Sequence, residues 1–156
     1  MKFLVDTNVG KLAKLLRLLG YDTLLFAEGD DNSLVSLALA HNRVILTKDH
    51  EFLRRRLTAA GRLRVLLIKS DDAGGQLRQV IEHFRLDTSH AFSRCLECNE
   101  ILQSKEKAEL QGRLPPYVYH THEEFRECPS CYRPYWRGTH WQAMTRRLDN
   151  LVTQGK

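Results

Sequence analysis

The sequence predicts an α/β protein, in which a three-layer sandwich with a parallel sheet is followed by a small cysteine-bearing module. Over residues 1–89, short apolar strand signals alternate with helical stripes, and such alternation favours parallel strands joined by right-handed crossovers. All four cysteines fall in residues 90–156, in two Cys-x-x-Cys pairs. A chain of 156 residues with 42% hydrophobic side chains is long and apolar enough for one such domain and an appended module.

Strand and helix signals follow one another along the first domain. The apolar run at Phe3 predicts a buried strand, and leucines spaced at i, i+3, i+4 and i+7 from Leu12 predict a helix that ends before Gly20. Asp31, Asn32 and Ser33 are candidate N-caps for a second helix. Further strands are expected at 23–27, 44–47 and 64–68, and further helices at about 50–60 and after residue 75.

The second module differs in composition from the first. It holds all four prolines and both tryptophans as well as the cysteines. The segment between the two cysteine pairs is predicted to be irregular or β-like. Thr139 then begins a predicted final helix, one face of which carries Trp141, Met144, Leu148 and Leu151.

The two Cys-x-x-Cys pairs predict a structural zinc site. Each pair brings two thiolates to one metal from a tight turn, and two pairs complete a tetrahedral site of four sulfurs. The pairs are Cys95 with Cys98 and Cys128 with Cys131. Disulfides or redox motifs are the alternatives, and neither a secretion signal nor a thioredoxin-like pattern accompanies them. Such a closed site supports folding and leaves no position for a substrate water.

Acidic residues follow each of the predicted parallel strands, where ligands bind in open α/β sheets. Carboxylates gathered at one edge repel one another unless a cation neutralises them, which indicates Mg²⁺ or Mn²⁺. Helix capping or solvation is the alternative role for each of them. The residues in question are Asp6, Asp30, Asp31, Asp49, Asp71 and Asp72.

Several function classes are disfavoured by the sequence. No glycine-rich phosphate loop follows the first strand, which argues against a Rossmann-type cofactor enzyme. No apolar stretch approaches the length of a membrane span, and an acidic residue at position 6 interrupts any signal peptide, so we expect a soluble, cytoplasmic protein without a membrane partner. The net charge of +5 permits a polyanionic partner. Carboxylate-held Mg²⁺ then favours a nuclease over a phosphatase or a receiver-like domain.

Six stretches of the chain carry a more specific signal, because they resemble the PIN-like Mut-seven C-terminal RNase domain family. The resemblance covers roughly residues 2–150. The stretches are Phe3-Leu4-Val5-Asp6, residues 12–23, Ile45-Leu46-Thr47-Lys48-Asp49, Gln76-Leu77, residues 94–99, and Tyr135-Trp136-Arg137-Gly138-Thr139-His140.

This resemblance implies a PIN-like sandwich followed by a zinc ribbon, and a ribonuclease that uses Mg²⁺ or Mn²⁺. By position, Asp6 matches the first acid of PIN domains, Asp49 the acid of the Thr-x-Asp motif, and Asp31 the acid before the second helix, with Asp30 as its alternate. Asp71 or Asp72 is the candidate for a fourth acid. Asn8 and Thr47 are expected to orient an acid or a water.

The expected partner is RNA, most simply a single strand, and a protein partner is left open. Basic residues of the first helix are expected to hold phosphates, unless they form only a solvated helix face. An aromatic and basic cluster in the ribbon is expected either to stack on RNA or to pack the ribbon onto the first domain. Alternative functions are a non-catalytic RNA-binding module and a toxin-like endoribonuclease with an antitoxin. The RNA-binding candidates are Lys11, Lys14, Arg17, Trp136, Arg137 and His140.

Overall fold

The computed structural model describes residues 1–154, without the side chains of His140, Leu148 and residues 151–154. Its first half is a four-stranded parallel sheet in the order β2-β1-β3-β4. The strands are β1 (Lys2–Asp6), β2 (Asp22–Phe26), β3 (Val44–Thr47) and β4 (Val65–Leu67). The helices between and after them are α1 (Lys11–Leu18), α2 (Asp31–His41), α3 (Arg56–Ala59) and α4 (Ala73–Phe84).

Both faces of the sheet are buried, each under its own hydrophobic core. Along β1, Phe3 and Val5 point into a core shared with α1 and α4, whereas Leu4 points into a core shared with α2. Alternate residues of a strand point to opposite faces of the sheet. Every residue of β3 is nevertheless buried, because both faces are covered. Helices therefore cover both faces, and the predicted three-layer α/β sandwich is confirmed.

The element between β3 and β4 is less regular than the single helix predicted for residues 50–60. A 3-10 helix covers His50–Arg54 and α3 covers only four residues. The extended backbone of Arg55 (φ −67°, ψ 143°) separates the two, because a helix cannot continue through that conformation. The prediction of one continuous helix is therefore wrong.

The second half of the chain contains a three-stranded antiparallel sheet in the order β5-β6-β7. Its strands are β5 (Gln103–Lys105), β6 (Phe125–Glu127) and β7 (Pro134–Tyr135). A 3-10 helix, Lys107–Leu110, and α5 (Pro116–Thr121) lie between β5 and β6 and build a small core with β6. The irregular or β-like prediction is wrong for α5, where Pro116 occupies the first helical position that proline favours.

The last helix, α6 (Thr139–Gln154), returns to the first half of the chain. Trp141 and Met144 pack against the core formed by α1 and α4. The predicted boundary between residues 89 and 90 falls in the irregular segment after α4, and it stays a prediction. Leu148 and Leu151, which were predicted on the same helix face, lie outside the described side chains.

The two ends of the parallel sheet, where its strands begin and where they finish, contact different parts of the chain. The carboxyl ends of the strands, with Asp6 at the end of β1, form the acid edge. Helix α1 runs back to the opposite end of the sheet. There Asn99, in the cysteine-bearing half of the chain that we call the ribbon, contacts the start of β2. We call this contact region the ribbon junction. Within the described part of the chain, no helix is both long and apolar enough to cross a membrane.

Candidate functional site

The Asp6 carboxylate at the acid edge is held by three donors. Its Oδ1 accepts a hydrogen bond from the Thr7 backbone N–H at 2.8 Å. Its Oδ2 accepts one from the Thr47 hydroxyl at 2.8 Å and a longer one from the Asn8 side-chain amide at 3.3 Å. Thr47 is fully buried at the end of β3, so this bond fixes the carboxylate across neighbouring strands.

The same threonine hydroxyl connects Asp6 to Asp49. The Asp49 backbone N–H donates to Thr47 Oγ1 at 3.0 Å, and the Asp49 Oδ1 accepts from the Glu51 backbone N–H at 2.9 Å. Asn8 adds a second link, because its Oδ1 accepts from the Lys48 backbone N–H at 3.2 Å. Asp6 and Asp49 therefore belong to one hydrogen-bonded unit that spans β1 and β3.

This unit lies at the switch point of the sheet. From β1 the chain passes to β2 on one side, and it then returns beyond β1 to β3 on the other side. The two crossovers leave a crevice between β1 and β3 at their carboxyl ends, which is where open α/β sheets bind ligands. Asp6 and Asp49, both partly exposed, lie at the carboxyl end of β1 and just beyond that of β3.

The acids after β2 are placed differently. Asp30 is the N-cap of α2, and its Oδ1 accepts from both the backbone N–H and the hydroxyl of Ser33 at 2.8 Å. Those hydrogen bonds lower the pKa of Asp30. Asp31 is exposed in the first turn of α2, and among the described contacts neither residue bonds to Asp6 or Asp49.

Both candidates for a fourth acid already have partners within the protein. Asp71, with 97% of its side chain exposed, forms an ion pair with Lys48. Asp72 caps α4 by accepting from the Gly75 backbone N–H at 2.8 Å, and this bond lowers its pKa. Lys48, which the sequence analysis did not single out, thus joins the ends of β3 and β4. The sequence signal that could have identified Lys48 is its position as a basic residue between Thr47 and Asp49.

The cysteines, unlike the acids, converge. Among the described residues, one group of three or more His, Cys, Asp or Glu side chains brings its ligand atoms together, and it is the four cysteines, within 4.8 Å of one another. The group consists of Cys95, Cys98, Cys128 and Cys131.

The spacing of the sulfurs fits a tetrahedral metal and not a disulfide. The Sγ atoms of Cys95 and Cys131 are 3.7 Å apart. Zn–S bonds of about 2.3 Å in a tetrahedron place neighbouring sulfurs about 3.8 Å apart, whereas a disulfide requires about 2.05 Å. In each pair the second cysteine donates its backbone N–H to the first sulfur, at 3.3 Å for Cys98 and 3.5 Å for Cys131. The cluster is therefore compatible with a zinc ribbon.

Hydrogen bonds within the cluster shift the pKa values of two of its thiols in opposite directions. The hydrogen bond to Cys131, together with burial, raises the pKa of Cys98 to about 12. Burial also acts to raise the pKa of Cys131, but hydrogen bonds from the Arg133 backbone and from neighbouring thiols bring it to about 6. The Tyr135 hydroxyl, whose pKa burial raises, keeps its proton and lies 3.1 Å from Cys95 Sγ.

The basic residues of α1 face two different environments. Lys11 is exposed near the acid edge, and Lys14, although largely exposed, pairs with Glu97 of the ribbon at 2.8 Å. Arg17 is only 9% exposed. Its guanidinium donates to the carbonyls of Thr23, Leu96 and Glu97 at 2.9, 2.8 and 3.3 Å. The expectation that Arg17 holds a phosphate stays a prediction, and its Nε and Nη1 already donate inside the protein.

A second set of polar contacts completes the ribbon junction. Asn99 accepts from the Thr23 backbone N–H at 2.9 Å and donates to the Asp22 carboxylate at 2.7 Å. Asp22 also pairs with the buried Arg43 at 2.8 Å. Burial acts to raise the pKa of Asp22, but the bonds from Arg43 and Asn99 outweigh it and lower that pKa. The first cysteine turn is thus bonded directly to the start of β2.

The aromatic and basic candidates of the ribbon differ in exposure. Trp136 is half-buried and packs against the small ribbon core. Arg137 is exposed, and its guanidinium lies 5.0 Å from the ring centre of Phe92 and 5.8 Å from that of Trp141. His140 falls in α6, and its side chain lies outside the described part of the chain.

Comparison with known proteins supplies the family. The model of the Mut7-C RNase domain matches residues 1–148. A human protein named exonuclease mut-7 homolog is 32% identical over 97 residues, which are 60% of this chain and 11% of the relative. The chain therefore spans about a tenth of the length of that relative. No solved structure gives a significant match. With the matched region covering both the acid edge and the cysteine cluster, the chain belongs to the Mut7-C RNase domain family.

Proposed function

We propose that this protein is a ribonuclease that hydrolyses RNA phosphodiester bonds with Mg²⁺ or Mn²⁺ at the acid edge. The observation that carries the proposal is the unit of Asp6, Thr47 and Asp49 at the switch point of an RNase-family sheet. The partly exposed groups of this unit are carboxylates, and carboxylate oxygens are the ligands that hard divalent cations prefer. When bound, such a cation polarises the phosphate and lowers the pKa of a water molecule.

The protein residues have distinct roles in this proposal. Asp6 is held in one orientation by its three donors, so it presents a fixed carboxylate edge to the crevice. Asp49 uses Oδ1 for its local N–H, which leaves Oδ2 for a ligand. Asp31 is the third proposed acid; Asp30, its alternate, is better suited to capping α2. Exposed Lys11, at the start of α1, would contact the RNA backbone.

We further propose that the four cysteines hold one structural Zn²⁺. The sulfur spacing and the donor set support this assignment. Four protein ligands would saturate the ion, so the site would stabilise the ribbon and take no part in cleavage.

Cleavage of a labelled single-stranded RNA tests the catalytic proposal. We expect activity with Mn²⁺ or Mg²⁺, none with EDTA, and a loss of several orders of magnitude in Asp6→Asn and in Asp49→Asn. Asp87→Asn, an exposed acid after α4, is the matched control and should keep full activity. Cleavage that persists in EDTA or in Asp6→Asn would reject the proposal and indicate a contaminating nuclease.

One observation favours a second candidate, a non-catalytic RNA-binding module. Among the described residues, the carboxylates of Asp6, Asp31 and Asp49 do not form a convergent group. A module of this kind would bind RNA with a steep dependence on salt but would cleave none of a varied set of RNAs in either metal. That combination of results would replace the ribonuclease with the binding module.

A further inference from the structure

A cavity of about 220 Å³ lies where the ribbon, the end of α1 and the start of α6 meet. Its lining is almost wholly apolar and includes Trp136, Trp141 and Met144. Both tryptophans of the chain therefore face the same cavity. The cavity is partly open to solvent, so it is a surface cleft that a ligand can enter and not a packing defect of the core.

The surroundings of the cavity are positively charged. Arg94 lines it, and no carboxylate does among the described residues. The guanidinium groups of Arg126 and Arg137 lie 4.9 and 5.0 Å from the ring centre of Phe92, another lining residue. Arg94 and Arg126 donate to backbone carbonyls, and Arg126 also pairs with Glu124 at 3.4 Å, while the contacts described for Arg137 are with aromatic rings. An exposed Arg137 beside an aromatic cavity is suited to an anionic group attached to a flat, apolar ring.

We propose that this cavity receives one unstacked base of single-stranded RNA, with the phosphate of that nucleotide against Arg137. Every base has a π-face that stacks on an aromatic side chain, and guanidinium groups contact the backbone. The inference rests on the proposed function, since it names a substrate subsite of the same protein. It assigns Trp136 and Trp141 to base stacking, and Met144 to the wall of the subsite.

The subsite lies at the ribbon junction, away from the acid edge. The cavity contacts Leu18 at the end of α1, whereas the start of α1 follows Asp6 and Asn8. The eight residues of α1 span about 12 Å, so the subsite and the acids lie at opposite ends of this helix. Lys11 and Lys14 lie exposed on α1 between the two positions.

Intrinsic tryptophan fluorescence tests the subsite without requiring cleavage. Nucleoside 5′-monophosphates and single-stranded oligoribonucleotides are titrated into the zinc-loaded full chain in EDTA-free, Mg²⁺-free buffer. We expect saturable quenching, because both emitting rings line the cavity. A variant that fills the cavity, Met144→Phe, should weaken binding roughly 5- to 150-fold, the factor equivalent to losing one stacked base. Tyr117→Ala, which removes an exposed aromatic ring of α5, is the matched control and should bind like the wild type.

A second variant keeps the test decisive if Met144→Phe does not fold. Arg137→Gln changes an exposed side chain and should weaken binding about fivefold while reducing its salt dependence. Arg62→Gln, in the exposed turn before β4, should do neither. Absence of quenching, quenching unaffected by Arg137→Gln, or quenching by an apolar dye but not by nucleotides would overturn the subsite. RNA cleavage is scored separately, so active enzyme without quenching rejects only this inference, and quenching without cleavage rejects only the ribonuclease.

Discussion

The cysteine cluster and the acid edge are both candidate metal sites, and they are built in opposite ways. The four sulfurs converge within 4.8 Å, and two of the four cysteines are completely buried. The carboxylates are partly or fully exposed, and those of Asp6, Asp30 and Asp49 accept hydrogen bonds from their own loops or from a neighbouring strand. One site is closed by the chain itself, whereas the other remains open to solvent.

The difference follows from the charge of the two ligand types. A protonated thiol is neutral and can donate a hydrogen bond to a neighbouring sulfur, so two sulfurs can lie 3.7 Å apart, as those of Cys95 and Cys131 do. Carboxylates are charged at neutral pH, and at such distances they repel one another unless a cation is present. A closed shell of four ligands suits a structural ion, and an open set of acids suits an ion that must also contact substrate.

Loss of the structural metal is expected to have the largest effect. The purified protein should carry about one zinc per chain, and the binding of such an ion is worth on the order of 10 kcal/mol of folding free energy. Cys128→Ser should abolish zinc binding and unfold residues 94–137, while β1 to β4 keep their amide protection. Elemental analysis and hydrogen exchange measure the two outcomes.

Ser130→Ala is the control for this experiment, because Ser130 is exposed in the same turn and is no ligand. Its zinc content and stability should match the wild type. Protein without metal, or a Cys95–Cys98 disulfide in reducing buffer, would contradict the zinc assignment. The contrast between a closed and an open metal site would then no longer hold.

Much of this comparison could be predicted from the sequence. The alternation of apolar strands and helical stripes predicts the three layers, since a parallel strand buried on both faces reads as an unbroken apolar run such as 44–46. The Cys-x-x-Cys spacing predicts the cluster, because the spacing itself determines the turn that brings two sulfurs together. Both patterns lie within short stretches of consecutive residues, so the local backbone geometry is enough to determine the structure that each one forms.

The ribbon junction could not be predicted in this way. Arg17 and Lys14 are three residues apart on α1 and look alike in the sequence, but one is buried under the ribbon and the other is exposed. Asn99 reaches β2 across 76 residues of sequence. Such contacts depend on how the two modules pack, and no periodicity or spacing of the chain encodes that packing.

Arg17 should contribute more to stability than Lys14, and the contrast measures how firmly the two regions are joined. Arg17→Gln leaves the carbonyls of Thr23, Leu96 and Glu97 without their charged donor. We expect a loss of about 3 kcal/mol in the free energy of unfolding, since hydrogen bonds to charged groups are worth about 1.5–3 kcal/mol each and buried partners are left unpaired. Denaturant unfolding checks the value.

Lys14→Gln removes only an exposed ion pair and should change stability by less than about 1 kcal/mol. Equal losses in both variants would mean that the junction is not held by Arg17. A loss in Arg17→Gln that disappears when zinc is removed would show that the cluster must be formed before the junction can contribute.

The acid edge should gain stability from a divalent cation, whereas the ribbon should not. A ligand that binds the folded state at 100 times its Kd stabilises it by about 2.7 kcal/mol. In zinc-loaded protein, Mn²⁺ should therefore raise the Tm of the wild type, and Asp6→Asn should abolish that shift. In metal-free buffer the same variant should be as stable as the wild type or more stable, because carboxylate repulsion is relieved. An unchanged Mn²⁺ shift in Asp6→Asn would place the cation elsewhere.

The smallest expected effect concerns Asp22, which connects the start of β2 to the ribbon through Asn99 and to the sheet through Arg43. Its pKa is lowered in the folded protein, whereas the unfolded chain has the ordinary value of about 3.9. A lowered pKa in the folded state contributes stability above the unfolded value, and this contribution is lost as the pH falls below it. The wild type should therefore be more stable than Asp22→Asn by a constant margin between pH 5 and pH 7, on the order of 1 kcal/mol for a lost charged hydrogen bond. Below about pH 4 the two unfolding curves should converge, since the wild-type carboxylate becomes protonated.

Asp71→Asn, at the acid edge and almost fully exposed, should show no such margin in the same urea titrations. A margin for Asp22→Asn that persists into strong acid would mean that the side-chain packing of Asp22, and not its charge, joins the two regions.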